Sequence, residues 1–138
     1  MTFNNYRPIA FNSTRDVADK AKTLYYSALS RSKKHDIEFD LDVNWLINNL
    51  KSLRCQFTGI PLTLNYTGSS KVKSNSASVH RLIPELGYVK SNCTIIANSV
   101  NMFISNHDIT EITPIAEAIV NSTEKIFLNY KITNYVKK

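Results

Sequence analysis

Ser76-Ala77-Ser78-Val79-His80-Arg81-Leu82-Ile83-Pro84-Glu85-Leu86-Gly87-Tyr88-Val89-Lys90-Ser91-Asn92-Cys93-Thr94-Ile95-Ile96-Ala97-Asn98-Ser99-Val100-Asn101-Met102-Phe103 is the stretch that decides the fold. Ser78-Val79 runs into His80-Arg81-Leu82-Ile83 as one short strand, and Cys93-Thr94-Ile95-Ile96 has the β-branched make-up of a second. Pro84, Gly87 and Asn92 punctuate the connection, so the two strands can pair as a hairpin with a long loop. From Ala97 onward Val100, Phe103 and Ile104 recur at helical spacing, which predicts a helix across the hairpin. Three polar residues stand out along this path, His80, Asn92 and Asn101, separated by 12 and 9 residues.

Outward from that stretch, the 138 residues are enough for one domain with a substantial core. A 43% hydrophobic and 10% aromatic composition is that of a folded chain, and no apolar run approaches the roughly 18 residues of a membrane span. No membrane partner is expected. Met1 to Pro8 lacks a basic region followed by an apolar one, so a cytoplasmic protein is expected. Cys55 and Cys93 are then expected as thiols rather than a disulfide.

The net charge of +6 is unevenly spread. Lys and Arg outnumber Asp and Glu by 7 to 2 over residues 1–34 and by 4 to 1 over residues 71–93, whereas residues 35–70 run 2 to 4 and residues 94–138 balance at 4 to 4. A polyanion would meet the two basic segments, although charge alone also suits a solvated surface.

Residues 1–12, broken by Pro8, read as an extended arm. Ser13 offers an N-cap with Asp16 three residues on, and Val17, Ala21, Leu24, Tyr25, Ala28 and Leu29 draw an apolar face on a helix from about Thr14 to Lys34. Its end, Ser30-Arg31-Ser32-Lys33-Lys34, suits phosphate contact or, more simply, the helix dipole. Ile37 to Leu41 alternates apolar and acidic residues, the mark of a half-buried strand. Asp42 then caps a helix lined by Val43, Leu46, Ile47, Leu50 and Leu53, ending before Gly59; residues 14–53 form a helical basic subregion. Thr63 to Ser76 is polar and Gly-containing, a loop on which Lys71 and Lys73 can touch phosphates. Beyond Asn101, Ser105 to Asp108 makes a turn, and Thr110 or Thr113 caps a last helix over residues 110–130, with Pro114 in its first turn and Ile112, Ile115, Ala116, Ile119, Val120, Ile126 and Phe127 on its buried side.

Ser78-Val79-His80-Arg81-Leu82, Gly87-Tyr88-Val89-Lys90-Ser91-Asn92 and Val100-Asn101 together resemble the HNH endonuclease (ββα-metal) family. Many phage members carry Ser-x-Asp-Arg-Ile, Gly-Tyr-x-x-x-Asn and Val-Asn in this order. Cys55-Gln56-Phe57-Thr58-Gly59-Ile60-Pro61-Leu62 is similar to their Cys-x-x-Thr-Gly-x-Pro-Leu segment, and the resemblance extends over about Ser30 to Asn106. It implies an α+β fold: one domain, with a ββα-metal core over residues 54–106 and N- and C-terminal helices flanking it.

It also implies a chemistry, divalent-metal-dependent hydrolysis of DNA phosphodiester bonds by a free-standing phage homing or nicking endonuclease. The Asn-, Ile-, Lys- and Tyr-rich composition suits an AT-rich genome. A metal neutralises charge building on the phosphate and leaving oxygen, and a base activates water. The implied catalytic set is His80, Arg81, Asn92 and Asn101, with His80 and Asn101 converging on Mg²⁺ or Mn²⁺. Asn92 ties the loop to itself. The implied contacts to double-stranded DNA are Arg31, Lys33, Lys34, Lys71, Lys73 and Lys90.

Two departures from the family pattern matter. His80 stands where many HNH motifs carry a metal-binding Asp, and Arg81 stands where many of them carry a His base, a task a guanidinium performs poorly. His80 is therefore either a ligand or itself the base, and Arg81 either clamps phosphate or stabilises the transition state. Many relatives also hold a structural zinc with two Cys-x-x-Cys pairs. Here Thr58 replaces the second cysteine, so no zinc is expected. The rival reading is an inactive DNA-binding module on the same scaffold. RNA binding lacks the aromatic and glycine signatures of common RNA modules.

Overall fold

A computed structural model describes residues 14–64, 74–125 and 128–129. The chain divides into two compact units, Met1–Phe103 and Ile104–Lys138. The extended arm expected over residues 1–12, the Ser13 cap, and Lys71 and Lys73 lie outside the described residues. The described residues form helices and one two-stranded antiparallel sheet, which agrees with an α+β class.

In the first unit, α1 (Thr14–His35) forms where the apolar stripe was read, with Val17, Ala21 and Ala28 buried. Lys33, Lys34 and His35 occupy its last turn, where cations suit the dipole. Asp36 turns to φ 51° and Ile37 N donates back to Ser32 O at 3.0 Å, a left-handed cap that satisfies an end carbonyl. Helix α2 (Val43–Leu50) is capped by Asp42, whose Oδ1 accepts from Trp45 N at 2.7 Å, and it packs on α1 with Leu46 and Leu50 fully buried.

Two expectations here are corrected. Helix α2 ends before Leu53, which takes φ 55° and donates its N–H to Leu50 O. Ile37 to Leu41 forms no strand. Among the described residues it pairs through the bridge of Phe39 with Tyr88, held by Tyr88 N to Glu38 O at 2.8 Å and Asp40 N to Tyr88 O at 3.0 Å. The partner segment is extended for only a few residues between the 3₁₀ turns Pro84–Leu86 and Lys90–Asn92, so a longer ladder has nothing to pair with.

Strands β1 (Ala77–Arg81) and β2 (Cys93–Ala97) pair antiparallel in the register Val79 to Ile95 and His80 to Thr94. Strand alternation puts Ala77, Val79 and Arg81 on one face and Ser78 and His80 on the other. Ile95 and Ile96 point to opposite faces and are both fully buried, so the small sheet is covered on both sides. Helix α3 (Asn98–Ile104) follows β2 directly. Its first N–H groups are satisfied by the residues just before β1, Asn98 N to Ser76 O and Ser99 N to Ser74 O, both at 2.8 Å.

In the second unit, Ser105 begins the expected turn at φ 46° and α4 (Ile109–Asn121) follows. Its cap is Asp108 rather than Thr110 or Thr113, because Asp108 Oδ1 accepts from Thr110 N at 2.7 Å. Pro114 consequently sits in the second turn. Ile112 is buried as expected, but Ile115, Ile119 and Val120 are 53%, 47% and 53% exposed, which corrects the expected buried side at those three positions, while Ile126 and Phe127 lie outside the described residues. Among the described residues no helix is long and apolar enough to cross a membrane.

Candidate functional site

His80 lies in β1 and is only 7% exposed. Its Nδ1 meets Asn101 Oδ1 at 2.9 Å, joining strand and helix across 21 residues of chain. The amide of Asn101 has a fixed sense, since its Nδ2 donates to Ser78 Oγ at 2.7 Å and to Val79 O at 3.4 Å. A carbonyl can only accept, so the oxygen of Asn101 is the atom facing His80 and Nδ1 carries the proton. The lone pair of the neutral imidazole is then on Nε2.

Asn92 is buried and ties the loop to itself, as its position implies. Its Oδ1 accepts from Ile83 N at 3.0 Å, while Nδ2 donates to Ile83 O and to Gly87 O, each at 2.8 Å. Gly87 has φ 79°, and a side chain there would collide with the backbone of Glu38. Arg81 is turned onto the same loop, donating to Pro84 O at 3.0 Å with its guanidinium 5.0 Å above the Tyr88 ring. His80, Asn101 and Ser78 thus form one polar cluster, with Asn92, Arg81 and the loop backbone as a second beside it.

Of the expected DNA contacts, Arg31, Lys33 and Lys34 are exposed at the end of α1. Lys90 is ion-paired to Asp42, Nζ to Oδ2 at 2.6 Å, and its backbone N–H bonds Asp40 Oδ1 at 2.7 Å. Lys20, one of the cations counted toward the N-terminal surplus, is buried, and loss of solvent lowers its amine to about 8. The basic surface is therefore narrower than the sequence count.

Gln56 and Phe57 were not singled out by residue type, and they complete the site. Cys55 to Gly59 is a tight turn closed by Cys55 N to Ile60 O at 2.9 Å and Gly59 N to Cys55 O at 2.8 Å. Gln56 fastens it to β2 and α2. Its N–H bonds Ile95 O, its Oε1 accepts from Thr94 Oγ1 at 2.7 Å and Ile95 N at 2.6 Å, and its Nε2 donates to Asn49 Oδ1 at 3.0 Å. Phe57 projects from this turn and meets His80 edge-on, ring centroids 5.6 Å apart at 74°. Residues 55–62 stand out only through their resemblance to a family segment, and no sequence signal marks the side chain that touches His80.

Both cysteines are buried thiols. Burial pushes Cys93 up to about 11. At Cys55 burial acts in the same sense, but hydrogen bonding from Thr58 and from the backbone of Ala97, Thr58 and Phe57 outweighs it and holds the thiol below its ordinary value. Among the described residues no three His, Cys, Asp or Glu side chains group as metal ligands.

The chain is similar to an uncharacterized 29.0 kDa protein in the dda-modA intergenic region of Enterobacteria phage T4, 26% identical over 101 residues. The match takes in 73% of this chain but 37% of that protein, so the chain spans little more than a third of its relative. No family model matches the chain, and no solved structure matches it.

The atom of this cluster that would face a divalent ion is Asn101 Oδ1, a hard oxygen with a lone pair beyond its bond to His80. The arrangement is first of all an imidazole oriented by an amide.

Proposed function

We propose that the protein is an HNH-type endonuclease, hydrolysing DNA phosphodiester bonds with Mg²⁺ or Mn²⁺ and with His80 as the general base. The observation that carries this reading is the bond from His80 Nδ1 to Asn101 Oδ1, which leaves Nε2 as the basic atom. Asn101 orients the ring, and Nε2 takes the proton of an attacking water. The loop fixed by Asn92 and Arg81 continues directly from β1 and holds its end in place. An ion bound at Asn101 Oδ1, with water and phosphate oxygens completing its shell, would supply charge neutralisation at the phosphate. Arg31, Lys33 and Lys34 at the end of α1 are the cations best placed to meet the DNA backbone. The likeness to a phage T4 protein supports a phage lineage for a nicking or homing enzyme.

The test is nicking of supercoiled plasmid with Mg²⁺ or Mn²⁺. His80→Ala should lower the rate by about 10²–10⁴, as loss of a general base does, with DNA affinity nearly unchanged. His80→Asp should be equally poor if His80 is the base and active if it is a ligand. A His80→Ala protein that nicks at the wild-type rate removes the assignment. One observation favours the second reading, a DNA-binding module without catalysis: Arg81 is engaged with Pro84 O and Tyr88. Salt-sensitive DNA binding with no nicking in either metal would establish it.

A further inference from the structure

We infer that Phe57 is a positioning residue for His80, and that Gln56 holds it in that role by fastening the 55–59 turn to β2 and α2. The kinetic part of this inference rests on the nuclease reading; the structural part does not.

A single hydrogen bond from Nδ1 to Asn101 fixes one edge of the imidazole but leaves the ring able to rock about that contact. The second restraint comes from Phe57, whose ring stands at 74° to the imidazole with centroids 5.6 Å apart. Phe57 itself is 46% exposed, whereas His80 is 7% exposed. The phenyl ring is thus the more exposed of the two, and its own burial explains little of its placement. An exposed aromatic on a short turn would ordinarily sample several rotamers.

What prevents wandering of the turn is Gln56. It bonds Thr94 Oγ1, Ile95 N and Asn49 Oδ1 through its side chain, and Ile95 O through its own N–H. Thr94 is the cross-strand partner of His80, so the turn is fastened to the sheet at the register position of the residue it steadies. Misplacement of a reacting group by about 1 Å can lower a rate about a hundredfold, so a restraint of this kind is felt in turnover rather than in binding.

The experiment has two arms. Proton and nitrogen NMR of the free protein reads the His80 imidazole directly. Wild type should show a slowly exchanging Nδ1–H, Phe57→Ala should broaden it into solvent exchange and shift the ring signals, and Phe57→Tyr should restore both. Gln56→Ala should shift them in the same direction by a smaller amount. In plasmid nicking, Phe57→Ala should lower kcat by about tenfold to a hundredfold with KM for DNA nearly constant, and Phe57→Tyr should recover it.

A Phe57→Ala protein whose His80 signals are unchanged overturns the inference whatever the nicking assay gives. The same holds if Phe57→Ala raises KM and leaves kcat alone. Absence of nicking by wild type overturns the nuclease reading and leaves the NMR arm to decide the positioning role.

Discussion

The hairpin loop of the first unit and helix α4 of the second were equally legible as elements, yet their side chains end in opposite conditions. Between Arg81 and Asn92 two polar side chains are bonded to the loop's own backbone: Asn92 makes three such bonds and Arg81 one. Along α4 the helical period is real, but three of its apolar residues, Ile115, Ile119 and Val120, are about half exposed. Periodicity reports which residues share a face. It does not report what covers that face.

The largest effect should come from Gly87→Ala. At φ 79° a side chain is strained, and a Cβ at this position would stand 2.8 Å from Glu38 N, against backbone that cannot move without losing the Phe39 to Tyr88 bridge. A loss of about 3–5 kcal/mol is expected from strain plus overpacking, measured by urea denaturation. A variant of wild-type stability would show that the loop tolerates displacement and that its bonds are incidental.

Asn92→Ala comes next. It removes one acceptor and two donors and strands Ile83 N, Ile83 O and Gly87 O, in surroundings where Asn92 is 4% exposed. The expected loss is about 2–4 kcal/mol, with faster amide exchange confined to the loop. Uniform exchange across both units would contradict a local role.

The sequence made much of this site readable, for definable reasons. Asn92 and Gly87 were legible because each is a residue type with few jobs in a loop, self-bonding for one and positive φ for the other. His80 and Asn101 were legible from the order in which strand, loop and helix carry them. Their bond to each other was not, since it depends on which way an amide faces, which Ser78 and Val79 fix. Phe57 was silent because edge-on contact with an imidazole has no sequence period. Gln56 was silent because its four bonds reach Asn49 on one side and Thr94 and Ile95 on the other.

Smaller again is the exposed pair at the other side of the loop, Lys90 with Asp42. Lys90 holds the Asp42 carboxyl below its ordinary range, aided by Trp45 N, and Asp42 in turn raises Lys90. A lowered carboxyl contributes stability that is present above its unfolded value and fades as pH falls through the lowered folded value. A raised ammonium contributes stability that is present below its unfolded value and fades as pH rises through the raised one. The pair should therefore act between about pH 4 and pH 10. Asp42→Asn keeps a capping oxygen while removing the charge, so the difference from wild type should be small and flat inside that window, vanish in acid and shrink with added salt. A difference that grows as pH falls below 4 would contradict the pairing.

The smallest expected effect carries the comparison back to α4. Ile115→Ser and Ile119→Ser change an exposed apolar side chain for a polar one of nearly equal helix propensity, so each should shift stability by no more than about 0.5 kcal/mol. Ile112→Ala, at 5% exposure on the same helix, should lose about 2–4 kcal/mol. The contrast within one helix separates burial from periodicity, since all three residues satisfy the same 3.6-residue spacing. If Ile115→Ser or Ile119→Ser lost as much as Ile112→Ala, the face would be covered in solution, and the difference between loop and helix would reduce to which partners are present. If all three were neutral, α4 would add nothing by packing, and the hairpin unit would carry the stability alone.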